Sequence, residues 1–493
     1  MKYNSTRNSQ MKISAAEAIA QGLASDGGLF MPETIPSLTA VDIASLEKLD
    51  YQGRALAIMK LFLPDFSRDE LSDYVNLSYS SNFADRRIAP IKVLDDETAF
   101  LELWHGPTCA FKDMALQILP HLLTASMRKT GELRDVCILV ATSGDTGKAA
   151  LEGFKDVPGT KILVFYPRDG VSEVQKLQMT TQEGGNVSVC AVAGNFDDTQ
   201  TGVKMIFGDS KFAERASGQG YILSSANSIN WGRLLPQIVY YFSAYCDYVN
   251  LGKIRAGDKI NFCVPTGNFG NILAGWYARA MGLPINKLIC ASNRNNILTD
   301  FISTGVYDRR REFYATASPS MDILISSNLE RLLYALSGDS ALVADYMKSL
   351  SESGVYEIGA AQRGRISECF AGGCCDDDET KKEIERVFDE YGYLIDTHTA
   401  VASKVLGDYR AATGDTSPTI VVSTASPYKF TESVLEALGG SADGRGPELI
   451  ARLEGKSGTT SPEPLRFLDR RAVRFSGCAE KTELSGVVEA FLK

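Results

Sequence analysis

The side chain most able to do covalent chemistry is Lys112, in the stretch LWHGPTCAFKDMALQ. Cys109, Ala110 and Phe111 precede it and Met114, Ala115 and Leu116 follow closely. Such flanks lead the stem into an interior, where an ammonium is costly unless neutralised, paired or converted to an imine. A Schiff-base lysine would serve as nucleophile and proton shuttle. A salt-bridged lysine at a helix start is the other reading, and Lys112 alone does not separate the two.

Three further segments could meet anions. Thr142-Ser143-Gly144-Asp145-Thr146-Gly147 and Thr266-Gly267-Asn268-Phe269-Gly270-Asn271 each follow an apolar run and precede a helical pattern. In such turns the backbone can approach a ligand and the first helical N–H groups point at it. A tight turn without a ligand is an equal reading of each. Neither fits the phosphate-loop spacing of nucleotide enzymes or GxGxxG. In the third segment, SSANSINWGR, the residues Asn227, Ser228, Asn230 and Arg233 could converge on a dianion, with the guanidinium fork suited to phosphate. A polar helix cap accounts for the same residues.

The elements that must position these groups are short β-branched runs at 136–140, 161–165, 187–192, 259–264, 288–291 and 419–422, separated by helical stretches. This alternation predicts an α/β fold with mostly parallel sheets covered on both faces. Residues 1–90 read as a mostly helical unit: Ser14 and Glu17 have capping-box spacing, a stop follows near Gly22, and 55–63 and 68–77 have helical patterns. The expected division is 1–90, a large domain of 91–135 and 250–493, and a small α/β domain of 136–249. Loops rich in Gly, Ser and Pro are expected at 438–447 and 455–464, and a helix start at the acidic run 376–379.

With 493 residues, more than one domain is expected. The 51 basic against 61 acidic residues give a net charge of −10, so no broad cationic field exists for nucleic acid or anionic lipid, and anions must be bound locally. No segment has the apolar length of a signal peptide core or membrane span, and a cytoplasmic location is expected. The ten cysteines form no CxxC pair and are expected as thiols; the three histidines, His105, His121 and His398, have no ligand spacing, and no metal is expected.

Taken in order, HGPTCAFKD, ATSGDTGKAA, SSANSINWGRLLPQ, PTGNFGNILAG, DTHTAVA and STASPYKF resemble the signature segments of threonine synthases. These are pyridoxal 5′-phosphate (PLP) enzymes of fold type II, with two open twisted sheets. The opening MKYNSTR and the segment from Ser318 through Asp322 to Arg331 and Leu332 fit as well, so the resemblance covers nearly the whole chain. It implies that Lys112 binds PLP as a Schiff base, that Gly267, Asn268, Phe269, Gly270 and Asn271 hold the cofactor phosphate, and that Thr424 meets the ring nitrogen. Thr142, Ser143, Asp145 and Thr146 would embrace the substrate's carboxylate, and Asn227, Ser228 and Arg233 its phosphate. Two positions depart from the pattern: many relatives have histidine at Ser426, and related dehydratases have asparagine at Asp145. His398 fits the family either as a structural or as a catalytic residue.

The implied reaction converts O-phospho-L-homoserine and water into L-threonine and phosphate by γ-elimination and β-replacement, in a monomer or homodimer. A dehydratase or phospho-amino-acid lyase of the same fold is the alternative. A catalytically silent PLP-binding relative is a third reading, which Lys112 disfavours.

Overall fold

Residues 1–142, 144–168 and 171–493 are described by the computed structural model. Ile260–Pro265 and Thr419–Ser423 are buried along their whole length, which is why they read as continuous apolar runs rather than alternating ones. They form the centre of a six-stranded sheet in the order Phe370–Cys374, Ile285–Ser292, Ile260–Pro265, Thr419–Ser423, Thr98–Glu102, Ile91–Val93. All neighbours are parallel except Ile91–Val93, which runs antiparallel at the edge.

A second, wholly parallel sheet has the order Cys478–Glu480, Val187–Ala193, Thr160–Pro167, Asp135–Ala141, Tyr221–Ser224. The six predicted strand runs all fall on strands of these two sheets. The division between them differs from the expected one in two places. Cys478–Glu480 pairs with Val187–Ala193 and covers the edge of the smaller sheet, so the C-terminus does not stay with the larger one. Helix Trp231–Asn250, expected in the small domain, packs instead on Gly270–Ala280 and on the N-terminal helices Ala40–Glu47 and Tyr51–Phe62. Gly275 permits that approach: a Cβ there would lie 2.8 Å from the Tyr241 ring.

The N-terminal unit adds a three-stranded antiparallel sheet, Asn8–Ile13, Tyr3–Ser5 and Phe30–Pro32, to its helices. Ser14 and Glu17 form the capping box of Ala15–Gln21, and Gly22 ends that helix. Asp376 caps Asp377–Tyr391 with Glu379 completing its box. The helix Gly446–Ser457 joins the two expected C-terminal loops and takes in 446–447 of the first and 455–457 of the second, so both are shorter than expected. Among the described residues no helix is long and apolar enough to cross a membrane, and no three His, Cys, Asp or Glu side chains are grouped to hold a metal ion.

Candidate active site

Lys112 precedes the short helix Asp113–Leu116. Its segment is stitched to the end of Thr419–Ser423 by Phe111 N–H donating to the Thr424 carbonyl at 2.7 Å and Ser426 N–H donating to the Cys109 carbonyl at 3.1 Å. Thr424 thus lies beside Lys112 because the strand ends there. Asp113 turns back to accept from Thr108 N–H at 2.8 Å and Thr108 Oγ1 at 2.7 Å, which locks the turn before the lysine.

Lys112 is half-buried as a residue, yet its ammonium is enclosed enough that desolvation lowers its pKa to about 8. Asp145 opposes that fall, while Arg233 and Lys429 add to it. Lys112, Asp145, Arg233 and Lys429 therefore share one electrostatic neighbourhood.

The loop before helix Gly270–Ala280 is built as a cradle. Phe269 takes a left-handed backbone, φ 60°, which turns the chain into the helix. The loop's carbonyls are occupied on one side: Gly267 O accepts from Ser326 Oγ at 2.8 Å, and Asn268 O accepts from Asn328 N and Nδ2 at 3.2 and 3.0 Å. The first N–H groups of the helix have no partner within it. Asn271 Oδ1 accepts hydroxyl hydrogens from Tyr240 at 2.6 Å and Tyr241 at 2.8 Å, which fixes the amide and leaves Nδ2 buried without a partner. A Cβ on Gly270 would enter space bordered by Asn328 Nδ2 and Gln237 Nε2. Unfilled donors at a helix N-terminus fit a phosphate.

The Thr142–Gly147 loop is different. Thr142 Oγ1 accepts from Gly144 N–H at 3.0 Å and Gly147 N–H at 2.9 Å, so the side chain closes its own turn. Asp145 opens helix Asp145–Phe154 and accepts at Oδ1 from Lys429 Nζ at 2.9 Å and Gln175 Nε2 at 2.8 Å. Burial resists ionisation of this carboxyl, but Lys429 and Lys112 outweigh it and hold its pKa below the usual range. A committed anion does not itself receive a carboxylate, so anion binding at this loop falls to the Asp145 and Thr146 N–H groups, which Thr142 does not take up. Thr146 is half-buried, and Ser143 lies outside the described residues.

In the third segment Asn230 is the helix cap, accepting from Gly232 N–H at 2.8 Å and donating to the Ile19 carbonyl at 2.9 Å. Asn227 is exposed and accepts from Ser228 Oγ at 3.3 Å. Arg233 is 3% exposed, donates to the Ala226 carbonyl and leaves Nε unpartnered. Desolvation lowers its pKa to about 10, and no carboxylate pairs with it among the described residues. Such a guanidinium lacks a counter-charge that the protein does not supply.

Sequence reasoning passed over Lys429, although Tyr428 and Phe430 flank it much as apolar residues flank Lys112. It also passed over Gln175, a polar residue that carries no signal until the chain is folded.

Residues 2–79 match the family "Threonine synthase N terminus" and residues 399–473 match "Threonine synthase, C-terminal". The chain is 38% identical to threonine synthase of Saccharomyces cerevisiae, with 98% of each covered. It is 42% identical to human threonine synthase-like 1 over 87% of this chain, but spans only 59% of that relative's length. Among solved structures, a PLP-bound threonine synthase from Brucella melitensis aligns with TM-score 0.88 and 38% identity over 100% of this chain and 99% of that one. The yeast threonine synthase structure aligns with TM-score 0.90 and 36% identity, covering 100% and 98%.

Proposed function

Because this chain belongs to the threonine synthase family, we propose that it is a cytoplasmic, PLP-dependent phosphate-eliminating lyase that converts O-phospho-L-homoserine and water into L-threonine and phosphate. The observation that carries this reading is Arg233, a buried cation without an internal counter-ion beside the buried amine of Lys112. It calls for an anion on the substrate in addition to one on the cofactor.

Lys112 would hold the cofactor's carbonyl carbon, Gly267 to Asn271 its phosphate, and the Thr424 hydroxyl its ring nitrogen. When bound, the cofactor supplies a conjugated electron sink that acidifies the substrate's carbon-bound protons. A hydroxyl at Thr424 favours a charged ring less than a carboxylate would, which moderates that sink.

The chain's own groups do the rest. An amine with a pKa near 8 is poised to take a proton from Cα and return protons along the substrate. Asp145 sits near enough to favour the protonated amine once it has taken one. The Asp145 and Thr146 N–H groups, at the start of their helix, would hold the α-carboxylate, and Arg233, with Asn227 and Ser228 at its rim, would hold the phosphate as it leaves Cγ. Arg233→Ala tests this reading: the visible absorbance of the lysine–cofactor imine should persist while turnover of phosphohomoserine collapses. Unchanged kinetics would refute it.

A further inference from the structure

The 3₁₀ turn Pro319–Met321 lies against Lys112 and is fastened on three sides. At its C-terminal side the Asp322 carboxylate accepts from Thr316 N–H at 3.0 Å, Thr316 Oγ1 at 2.7 Å, Asn293 Nδ2 at 2.7 Å and Asn295 Nδ2 at 3.0 Å. From the cofactor side, Gly267 comes so close that a Cβ there would lie 2.6 Å from the Ser320 carbonyl oxygen. From below, His398 Nε2 accepts the Ser320 N–H at 3.2 Å.

That last contact sets the imidazole's tautomer. A nitrogen that accepts an amide hydrogen carries none, so in the neutral ring the proton is on Nδ1, which lies 3.3 Å from Asp396 Oδ2, an oxygen without a hydrogen-bond partner among the described residues. Asp396 is itself fixed, since its other oxygen accepts Thr399 N–H at 2.9 Å. Phe430 packs against the ring edge-on, with centroids 4.8 Å apart. The chain of contacts from Asp396 through His398 ends at Ser320, whose hydroxyl accepts from Lys112 Nζ at 3.4 Å.

A lysine amine on four rotatable bonds must be held over one face of the substrate if it is to serve successive proton transfers. We propose that Ser320 is a catalytic residue whose hydroxyl receives the Lys112 amine between proton transfers, and that His398 is a positioning residue that fixes Ser320 through its main-chain N–H. This rests on Lys112 being the cofactor lysine, as argued above.

The test uses cofactor-loaded wild type, Ser320→Ala, Ser320→Thr, His398→Gln and His398→Phe. Three readouts are taken: the visible absorbance of the imine, the exchange of the Cα proton of L-2-aminobutyrate with D2O by NMR, and kcat and KM with phosphohomoserine. Ser320→Ala should keep the imine absorbance and lose roughly tenfold in both proton exchange and kcat, the size expected for one hydrogen bond, with KM within about threefold. Ser320→Thr should recover to within about threefold of wild type. His398→Gln, whose amide oxygen can accept the Ser320 N–H, should exceed His398→Phe in exchange rate.

Wild-type exchange in Ser320→Ala, or an equal loss in Ser320→Thr, overturns the role of the hydroxyl. Equal rates in the two His398 variants overturn the positioning role, and if His398→Phe does not fold, the Ser320 pair still decides the serine's part. A wild-type chain with neither imine absorbance nor exchange overturns the cofactor reading and this one with it.

Discussion

Two buried cations flank Lys112 and are treated in opposite ways. Lys429 is 0% exposed, and its charge is met within the protein by Asp145 at 2.9 Å and the Thr108 carbonyl at 2.8 Å. Arg233 is equally enclosed, yet its Nε has no partner and no carboxylate faces it among the described residues. An unpaired buried charge costs several kcal/mol, so it persists where something else brings the counter-charge. Lys429 ties Asp145, at the end of the smaller sheet, to the end of the larger one. Arg233 has no such partner among the described residues, and that difference is why it is proposed for the substrate's anion.

The largest effect expected removes the group between them. Lys112→Ala should abolish both the visible imine absorbance and turnover; a variant that kept either would break the comparison at its centre. Next comes Lys429→Met, which leaves the buried Asp145 carboxylate without its ion-pair partner and, among the described residues, with only Gln175 donating to it. Urea unfolding at pH 7 should show a loss of about 3–5 kcal/mol, largely regained when Asp145→Asn is added. The pKa of Asp145 is depressed in the folded state, so its contribution is present above the unfolded value of about 4 and is lost as pH falls further. The stability gap between variant and wild type should accordingly narrow in acid.

Arg233→Ala should behave the other way round. Stability should hold or rise, while kcat/KM for phosphohomoserine falls about 10- to 150-fold, corresponding to ~1.5–3 kcal/mol for a charge-assisted hydrogen bond. A smaller effect is expected on Lys112. In the cofactor-free chain its labelling by an amine reagent should rise through about pH 8 rather than the ordinary lysine range, and Arg233→Ala should move that midpoint upward. The smallest effect is expected for Asn227→Ala: the side chain is exposed, and kcat/KM should change by less than about fivefold.

The parts of this arrangement that were legible in the sequence share a cause. Strands buried on both faces leave continuous β-branched runs, and capping boxes such as Ser14 to Glu17 are local, so both appear in the order of residues. Lys112, the two glycine loops and Arg233 were legible as candidates because each has a local composition suited to its chemistry. What decides between ligand site and structural device is not local. Asp145 is committed to Lys429, from a distant segment, and Asn271 has a spare donor because Tyr240 and Tyr241 fix its other atom. Cys478–Glu480 was illegible as a strand, because three residues of mixed polarity carry no period and only the exposed edge of Val187–Ala193 makes them one.

The most direct test follows inorganic phosphate and L-threonine together when the PLP-loaded chain is incubated with O-phospho-L-homoserine, in wild type and in Arg233→Ala. Wild type should release the two in equal amounts, and Arg233→Ala should release both about 10- to 150-fold more slowly while keeping the imine absorbance. Phosphate release without threonine, or release undiminished in Arg233→Ala, would contradict the account.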